Sequence, residues 1–418
     1  MDGLELPAMR GPVPGPRARA AIDILATHEC PAIIQRRARR AAALGTASDD
    51  PIVWDRAVGA NVWDVDGNRY VDLTSGFGVA LVGHRHPAVV AAVERQLGRL
   101  IHAMGDAWPD ASRIELLGRL AAFAPPELSV AILGLSGSDA VDAAIKTARL
   151  ATDRRGILVF EGAYHGLALG VLGLQSARPA FSEPFADVTH PAITKLPWGC
   201  PPDVVAAVLA EGTIGLVLVE PIQGRGGIRP APPGWLARLA QLTRASGALF
   251  ALDEIQTGMG RTGVPLAGGS EGVVPDLVCV GKALAGGFPL SACLGTPRAM
   301  EAWGASTGEA IHTQTFLGHP IGCAAALAVL DLLEGGLLEQ VQERAGALEA
   351  HLGPLRGRGL MRALELGEGI DALAASRALL QRGFLVLPAG PTSLQIVPPV
   401  CLTDPQLGAL AQALREIP

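Results

Sequence analysis

The chain is poor in lysine: Lys146, Lys195 and Lys282 are the only three among its 34 Lys and Arg residues. Arginine therefore supplies the surface basicity, and a lysine kept against that bias is a candidate for chemistry open only to an amine, such as a Schiff base. Aromatic residues are scarce too, at 4% of 418 residues with two tyrosines. Positive charge is not in excess, the formal net charge being −6, which gives no footing for nucleic acid or an anionic membrane as partner. The apolar runs, such as Gly212–Val219 and Ile321–Leu330, fall far short of the ~20 residues of a membrane span. The opening segment, with Pro7, Pro12, Pro14 and Pro16 beside Asp2 and Glu5, lacks the apolar core of a secretion signal. Cys30, Cys200, Cys279, Cys293, Cys323 and Cys401 form no Cys-x-x-Cys pair, and no His cluster has metal-ligand spacing, so neither a disulfide framework nor a metal site is expected. What remains is the expectation of a cytoplasmic protein with a small-molecule ligand.

What is present is apolar bulk, 49% hydrophobic residues against 18% charged, enough for two or three domains at the usual ~100–200 residues each. Residues 1–20, rich in Pro and Gly, read as a flexible tail. A helical pattern from Ile22 to Leu44 carries Arg36, Arg37, Arg39 and Arg40, read as a solvated face. Alternation from Asn61 to Leu73 around Asp66-Gly67-Asn68 signals a hairpin. Short apolar runs then recur at Val130–Leu133, Ile157–Phe160, Ile214–Val219, Ala248–Leu252, Leu277–Val280 and Leu290–Leu294, with helical stretches such as Asp139–Ala151 and Trp235–Ser246 between several of them. Buried runs alternating with helices predict an α/β fold with a mainly parallel sheet covered by helices on both faces. The expected division is a large domain over 71–320 and a smaller α+β domain built from both chain ends, 21–70 and 321–418.

Gly258-Met259-Gly260-Arg261-Thr262-Gly263 fits the G-x-G-x-x-G dinucleotide fingerprint in letters only. That fingerprint needs its first Gly at the strand-to-helix turn and a helix afterwards; here Asp253–Thr257 intervene, and Pro265, Gly268, Gly269 and Gly272 follow. The stronger signals are three strand ends. Asp253 closes one apolar run. Lys282 closes another amid apolar neighbours, where desolvation makes an amine nucleophilic. Leu135-Ser136-Gly137-Ser138-Asp139 opens a helix after a third, a backbone cup for an anion or phosphate. An anion cup, a carboxylate and a desolvated lysine together suit pyridoxal phosphate.

The motifs Leu252-Asp253-Glu254-Ile255-Gln256-Thr257-Gly258-Met259-Gly260-Arg261-Thr262-Gly263 and Gly281-Lys282-Ala283-Leu284-Ala285-Gly286-Gly287 resemble those of the class III pyridoxal-phosphate aminotransferases of fold type I. The resemblance extends through Gly83-His84-Arg85-His86-Pro87, Tyr164-His165-Gly166, Glu220-Pro221-Ile222-Gln223-Gly224 and His312-Thr313-Gln314-Thr315-Phe316, and so covers nearly everything after residue 50. It implies that Lys282 holds the cofactor as an internal aldimine and shuttles a proton, and that Asp253 keeps the pyridinium nitrogen protonated. Gln256 is implied to bond the ring hydroxyl, with Tyr164 and Ile255 on the two ring faces and His165 and Glu220 also beside the cofactor. Gly137 and Ser138 would hold the phosphate, joined by Thr315 of a neighbouring subunit in a homodimer.

The departures concern the substrate, for which Phe77, Leu167, Glu220 and Gln395 are the candidate contacts. Members of the family that use glutamate and 2-oxoglutarate commonly carry Arg where this chain has Leu167, and a second Arg where it has Gln395. A neutral amide cannot replace a charged bidentate grip on a carboxylate. The expectation is amino transfer between an amine or amino acid and a keto acid or aldehyde, outside the standard glutamate and 2-oxoglutarate pattern. It favours a substrate with an extra amine or without the usual α-carboxylate; alternatively Arg225, Arg229 or Arg261 takes the carboxylate from elsewhere. A racemase, epimerase or aminomutase on the same scaffold is the alternative reaction.

Overall fold

Runs of β-branched and aliphatic residues with no polar break must be buried on both faces, and in the computed structural model, which describes residues 3–30, 51–305 and 308–417, they form one sheet. Its strands are β4 (Val130–Gly134), β5 (Gly156–Phe160), β6 (Ile193–Leu196), β7 (Ile214–Val219), β8 (Leu249–Asp253), β9 (Leu277–Val280) and β10 (Ser291–Gly295). They lie in the order β4-β10-β9-β8-β7-β5-β6. Five neighbours from β9 to β6 pair in parallel, and β10 runs antiparallel between β9 and β4, as Cys279 opposite Cys293 marks. The edge strand β6 had no apolar signal, because Lys195 and its half-buried neighbours cover only one side.

The pleat divides each strand between two cores. Leu158, Val217, Val219, Phe250 and Leu252 face a cluster with Trp235, Leu236 and Leu239 of the helix Trp235–Ser246. Ile157, Val159, Leu216, Leu218, Leu249 and Ala251 face Ala140, Val141, Ala144 and Ala148 of the helix Gly137–Thr152. Both helices were expected within two residues of these bounds. Gly137–Thr152 begins with a capping box, Ser136 accepting from the Asp139 amide and Asp139 accepting in return.

The hairpin β2 (Asn61–Asp64) and β3 (Arg69–Asp72), with β1 (Trp54–Val58) outside it, takes its fourth strand from the far end of the chain: Phe384 pairs in parallel with Val71. A second sheet comprises Arg356–Arg358, Met361–Glu365, Ser393–Ile396 and Leu387–Pro388, and sets Gln395 opposite Ala363 and Leu387. Strand β3 runs through the expected border at residue 70.

Two expectations at the start of the chain change. Residues 3–15 are not a loose tail: Ala8 and Arg69 exchange backbone hydrogen bonds of 2.9 Å, and the Asn68 side chain accepts from the amides of Arg10 and Gly11. Proline and glycine removed periodicity there without removing partners. The first helix starts early, at Pro16, because Asp66 of the hairpin turn accepts the Arg17 and Ala18 amides (2.8 and 2.9 Å). It ends at His28, and Arg36, Arg37, Arg39 and Arg40 lie outside the described residues. One helical run, Pro320–Leu352, is long and apolar enough to cross a membrane, but 56% of its most apolar window is buried inside the protein. A π-type turn over Leu333–Leu337, with Gly336 at φ 99°, interrupts it.

Candidate active site

Parallel strands bring their carboxyl ends to one edge, where α/β sheets collect ligands. The loops after β4, β5, β7, β8 and β9 meet there around a cavity of about 380 Å³. Its lining unites Gly137, Ser138, Tyr164, His165, Leu167, Glu220, Asp253, Ile255, Gln256 and Lys282. Phe77, Thr315 and Gln395 are not part of that lining. An apolar wall of Val79, Leu135, Phe288, Pro289 and Leu290 completes it. Of that wall, sequence reasoning supplied Leu135, in the cup, and Leu290, in an apolar run, but missed Val79, Phe288 and Pro289; the Gly286-Gly287 pair that releases the chain after the lysine turn was the one signal for the latter two.

At one end of the cavity the helix Gly137–Thr152 presents its first turn, whose amides have no intrahelical partner by position. A Cβ on Gly137 would come within 2.8 Å of Ile255 Cδ1. Gly166, at φ 111°, lies so close to Ser138 that a Cβ there would run into the serine Oγ. These two glycines leave a cup of backbone and hydroxyl that fits a phosphate.

The floor is ionic and buried. His165 Nδ1 lies 2.7 Å from Asp253 Oδ2, both side chains being buried, and the other Asp253 oxygen accepts the Ile255 amide at 3.1 Å. Burial works against a charge on His165, yet the hydrogen bond and charge of Asp253 hold it above its ordinary value. Its Nε2 is buried without a partner. Glu220 accepts the amides of Tyr164 (2.9 Å) and Gly224 (3.0 Å), and burial pushes it up to about 7.

Lys282 Nζ donates to Gln256 Oε1 at 3.0 Å. Burial lowers the amine to about 8, against the attraction of Asp253 and Glu220 and with the help of Arg225 and Arg261. Its backbone sits at φ 43°, left-handed for a residue with a Cβ, at the start of a short turn after β9. That conformation costs on the order of 1 kcal/mol and aims the site lysine off the end of its strand. Beside it runs a second strained turn, with Ser75, Gly76, Phe77 and Gly78 at φ 47°, 55°, 65° and 86°. Asp72 fixes that turn by accepting the amides of Thr74 and Gly76, and Ser75 Oγ donates to the Val397 carbonyl at 2.7 Å. A Cβ on Gly78 would be 3.7 Å from Lys282 Cδ, while Phe77 points outward at 63% exposure.

The Gly258–Gly263 stretch forms turns, followed by the short 3-10 turn Ala267–Glu271 and not by an α-helix. Arg261 within it is fully buried, and its guanidinium donates to the carbonyls of Gly78, Leu360 and Pro398 (3.2, 3.4 and 2.6 Å). The segment is an internal brace between the Ser75–Gly78 turn and the second small sheet, which excludes a dinucleotide loop. The cavity in contrast offers a phosphate cup, a buried carboxylate with an imidazole behind it, and a desolvated amine, the three groups that pyridoxal phosphate requires.

Comparison with known proteins agrees with this geometry. The family described as aminotransferase class-III matches residues 44–417. The acetylornithine aminotransferase of Methanopyrus kandleri is 36% identical over 385 residues, spanning 89% of this chain and 96% of its own. The 5-aminovalerate aminotransferase of Pseudomonas aeruginosa is 35% identical over 408 residues, spanning 89% and 94%. Among solved structures, the ornithine aminotransferase of Toxoplasma gondii, with pyridoxal phosphate at partial occupancy in its active site, superposes with a TM-score of 0.79 at 29% identity, covering 87% of this chain and 89% of that one.

Proposed function

The chain belongs to the class-III aminotransferases, and from that premise we propose which of its residues carry the activity and what kind of amine they accept. The protein is a pyridoxal-phosphate-dependent aminotransferase of fold type I, moving an amino group between an amine or amino acid and a carbonyl acceptor. When bound, the cofactor supplies the electron sink and the carrier for the amino group.

Gly137 and Ser138 would hold its phosphate with helix amides and a hydroxyl. Tyr164 and Ile255 would lie against the ring, Gln256 would bond its hydroxyl, and Asp253, oriented by His165, would hold a proton at the ring nitrogen. Lys282 would hold the cofactor through Nζ and move a proton at the substrate carbon, for which an amine lowered to about 8 is suited. Glu220, clamped by two amides, fixes the Tyr164 loop at the cofactor's edge. The observation that carries these roles is the meeting, in one buried cavity, of Lys282, the Asp253–His165 pair and the Gly137–Ser138 cup.

The preferred substrate is a primary amine whose carboxylate lies several carbons from the reacting carbon. Leu167 and Gln395 deny charge to the two positions where arginine was expected. Acetylornithine and 5-aminovalerate, in the names of two relatives, both have an amino group remote from a carboxylate.

The working unit is a homodimer in which Thr315 reaches the partner's cofactor. Thr315 is exposed and outside its own cavity, and Ile101, Met104, Trp108 and Phe316, between 51% and 70% exposed, offer an apolar face for a second copy. The domain division at 71–320 and a cytoplasmic site of action, the latter supported by six free thiols, belong to the same reading.

The test is the visible absorption of the loaded protein with acetylornithine, ornithine, 5-aminopentanoate and n-pentylamine, with product analysis in the same tubes. Loss of the cofactor's visible band with appearance of a carbonyl product supports transfer. A chiral amine that loses its configuration with the band intact and no carbonyl product overturns it in favour of racemisation.

A further inference from the structure

We propose that Lys146 and His312 are positioning residues, a clamp that holds the segment carrying Thr315 in place for the cofactor of the partner subunit; the assignment rests on the homodimer reading above. Lys146 is one of the three lysines of the chain, and neither the cavity nor the proposed chemistry uses it. It stands on the helix Gly137–Thr152, whose first turn forms the phosphate cup. Ala140, Val141, Ala144 and Ala148 turn one face of that helix to the sheet, while Asp142 and Lys146, one turn apart, are partly exposed on the other. Lys146 Nζ lies 3.1 Å from Asp142 Oδ2 and 3.1 Å from His312 Nδ1. An ammonium is a point donor with three N–H groups, so one amine serves the carboxylate and the ring nitrogen together. It thereby ties the helix to a segment 166 residues further along the chain.

That segment is fixed at two points. At its start the His312 side chain is only 6% exposed and stands edge-on to the Trp303 ring at 5.9 Å, and Trp303 Nε1 donates to Thr147 Oγ1 of the same helix at 3.0 Å. At its end Leu317 enters the main core. Between the two anchors Thr313, Thr315 and Phe316 are exposed. A span this short, held at both ends, leaves Thr315 a small range of positions, and freeing one end returns conformational freedom that binding must then remove. Burial and the charge of Lys146 hold His312 below its ordinary value, against the attraction of Asp142 and Asp139, so the neutral ring accepts at Nδ1 and carries its proton on Nε2. That Nε2–H is buried without an acceptor in the single subunit, a costly state that a second copy of the chain would relieve. The helix that cups a phosphate in one subunit thus carries, on its outer face, the anchor of the arm that serves the other.

The test is the affinity of the unloaded protein for pyridoxal phosphate, read by absorbance titration of mixed dimers purified through a different affinity tag on each subunit. One subunit keeps Lys282 and the other carries Lys282→Ala, so attachment of the cofactor reports a single site. Lys146→Met in the Lys282→Ala subunit should weaken the reporting site about three- to tenfold, whereas Lys146→Met in the reporting subunit should leave it within about twofold. Thr315→Val should show the same pattern with a larger loss, about 10- to 100-fold, as for a charge-assisted hydrogen bond. Adding Lys146→Met to Thr315→Val should cost nothing more, since the clamp then has no contact to position. Methionine keeps the lysine's aliphatic stem, and His312→Phe, which keeps a ring and loses the acceptor, is a second variant that should reproduce the loss. No effect of Lys146→Met or His312→Phe across the interface, an effect confined to the mutated subunit, or one that adds in full to Thr315→Val overturns the clamp. Thr315→Val without any loss across the interface would instead overturn the homodimer reading beneath it.

Discussion

At the floor of the cavity each ionisable group is matched to a fixed partner, whereas at its rim the side chains stand in or near water. Asp253 has His165 and the Ile255 amide; Glu220 has two amides; Lys282 has Gln256. The rim has Leu167 at 43% exposure, with the exposed Arg225 against the Tyr164 ring, while Phe77, 63% exposed, points away from the cavity. Buried charge is costly to strand, so a change at the floor breaks a network, while an exposed side chain can be exchanged at little cost in stability. The same scaffold can therefore keep its cofactor chemistry and alter its choice of amine. On the proposed assignment the floor matches the motif resemblance, and the departures at Leu167 and Gln395 concern the positions proposed to meet substrate.

The sharpest way to break the comparison is at Lys282. Lys282→Ala should bind the cofactor without covalent attachment, so that borohydride reduction adds no mass to the protein, and turnover should fall on the order of 10⁴-fold. Asp253→Asn comes next, because it leaves His165 buried beside a neutral group. The wild-type His165 is held above its ordinary value. The stability it contributes is therefore fully present below about pH 6.5 and lost as pH rises through the raised folded value. In Asp253→Asn that pH-dependent increment should vanish, with an overall loss of about 3 kcal/mol, read from denaturant midpoints at low and high pH.

The floor was also the part most legible in sequence. Asp253 and Lys282 end uninterrupted apolar runs, and a parallel sheet has few ways to arrange such ends. Ser136 and Asp139 announced the cup through ordinary capping chemistry. What stayed hidden depends on contacts distant along the chain. Asp66 starts a helix 49 residues earlier by capping Arg17, and Phe384 adds a strand beside Val71. The context of Gly258–Gly263 already set the nucleotide loop aside, but nothing local shows that the Arg261 guanidinium meets carbonyls at Gly78, Leu360 and Pro398. The separate positions of Arg225, Arg229 and Arg261 could be told apart only once burial was known.

Two intermediate tests sharpen where floor gives way to rim. Gly166→Ala places a Cβ at φ 111° against Ser138 Oγ. It should cost about 1–3 kcal/mol in stability and weaken cofactor binding, checked by thermal unfolding with and without pyridoxal phosphate. The loading rate of the unloaded protein reports on Lys282 itself. Since burial lowers that amine to about 8, attachment should slow about tenfold for each pH unit below that value and level off above it. Stopped-flow absorbance across pH 6–10 would show a midpoint near 10 instead if the amine were solvated.

The smallest effect is expected at Gln395, on the sheet strand Ser393–Ile396 opposite Ala363 and outside the cavity lining. Gln395→Arg restores the charge that the resemblance implies there for an α-carboxylate, while the distal position, Leu167, stays apolar. A substrate whose carboxylate is remote from its reacting carbon gains nothing from a cation there, so kcat/KM for 5-aminopentanoate should change by less than about threefold. The stability change should stay small as well, because residue 395 is only half-buried. If turnover of 5-aminopentanoate instead rose tenfold or more, its remote carboxylate would have to sit near residue 395. The cavity and the second small sheet would then share the work of substrate binding.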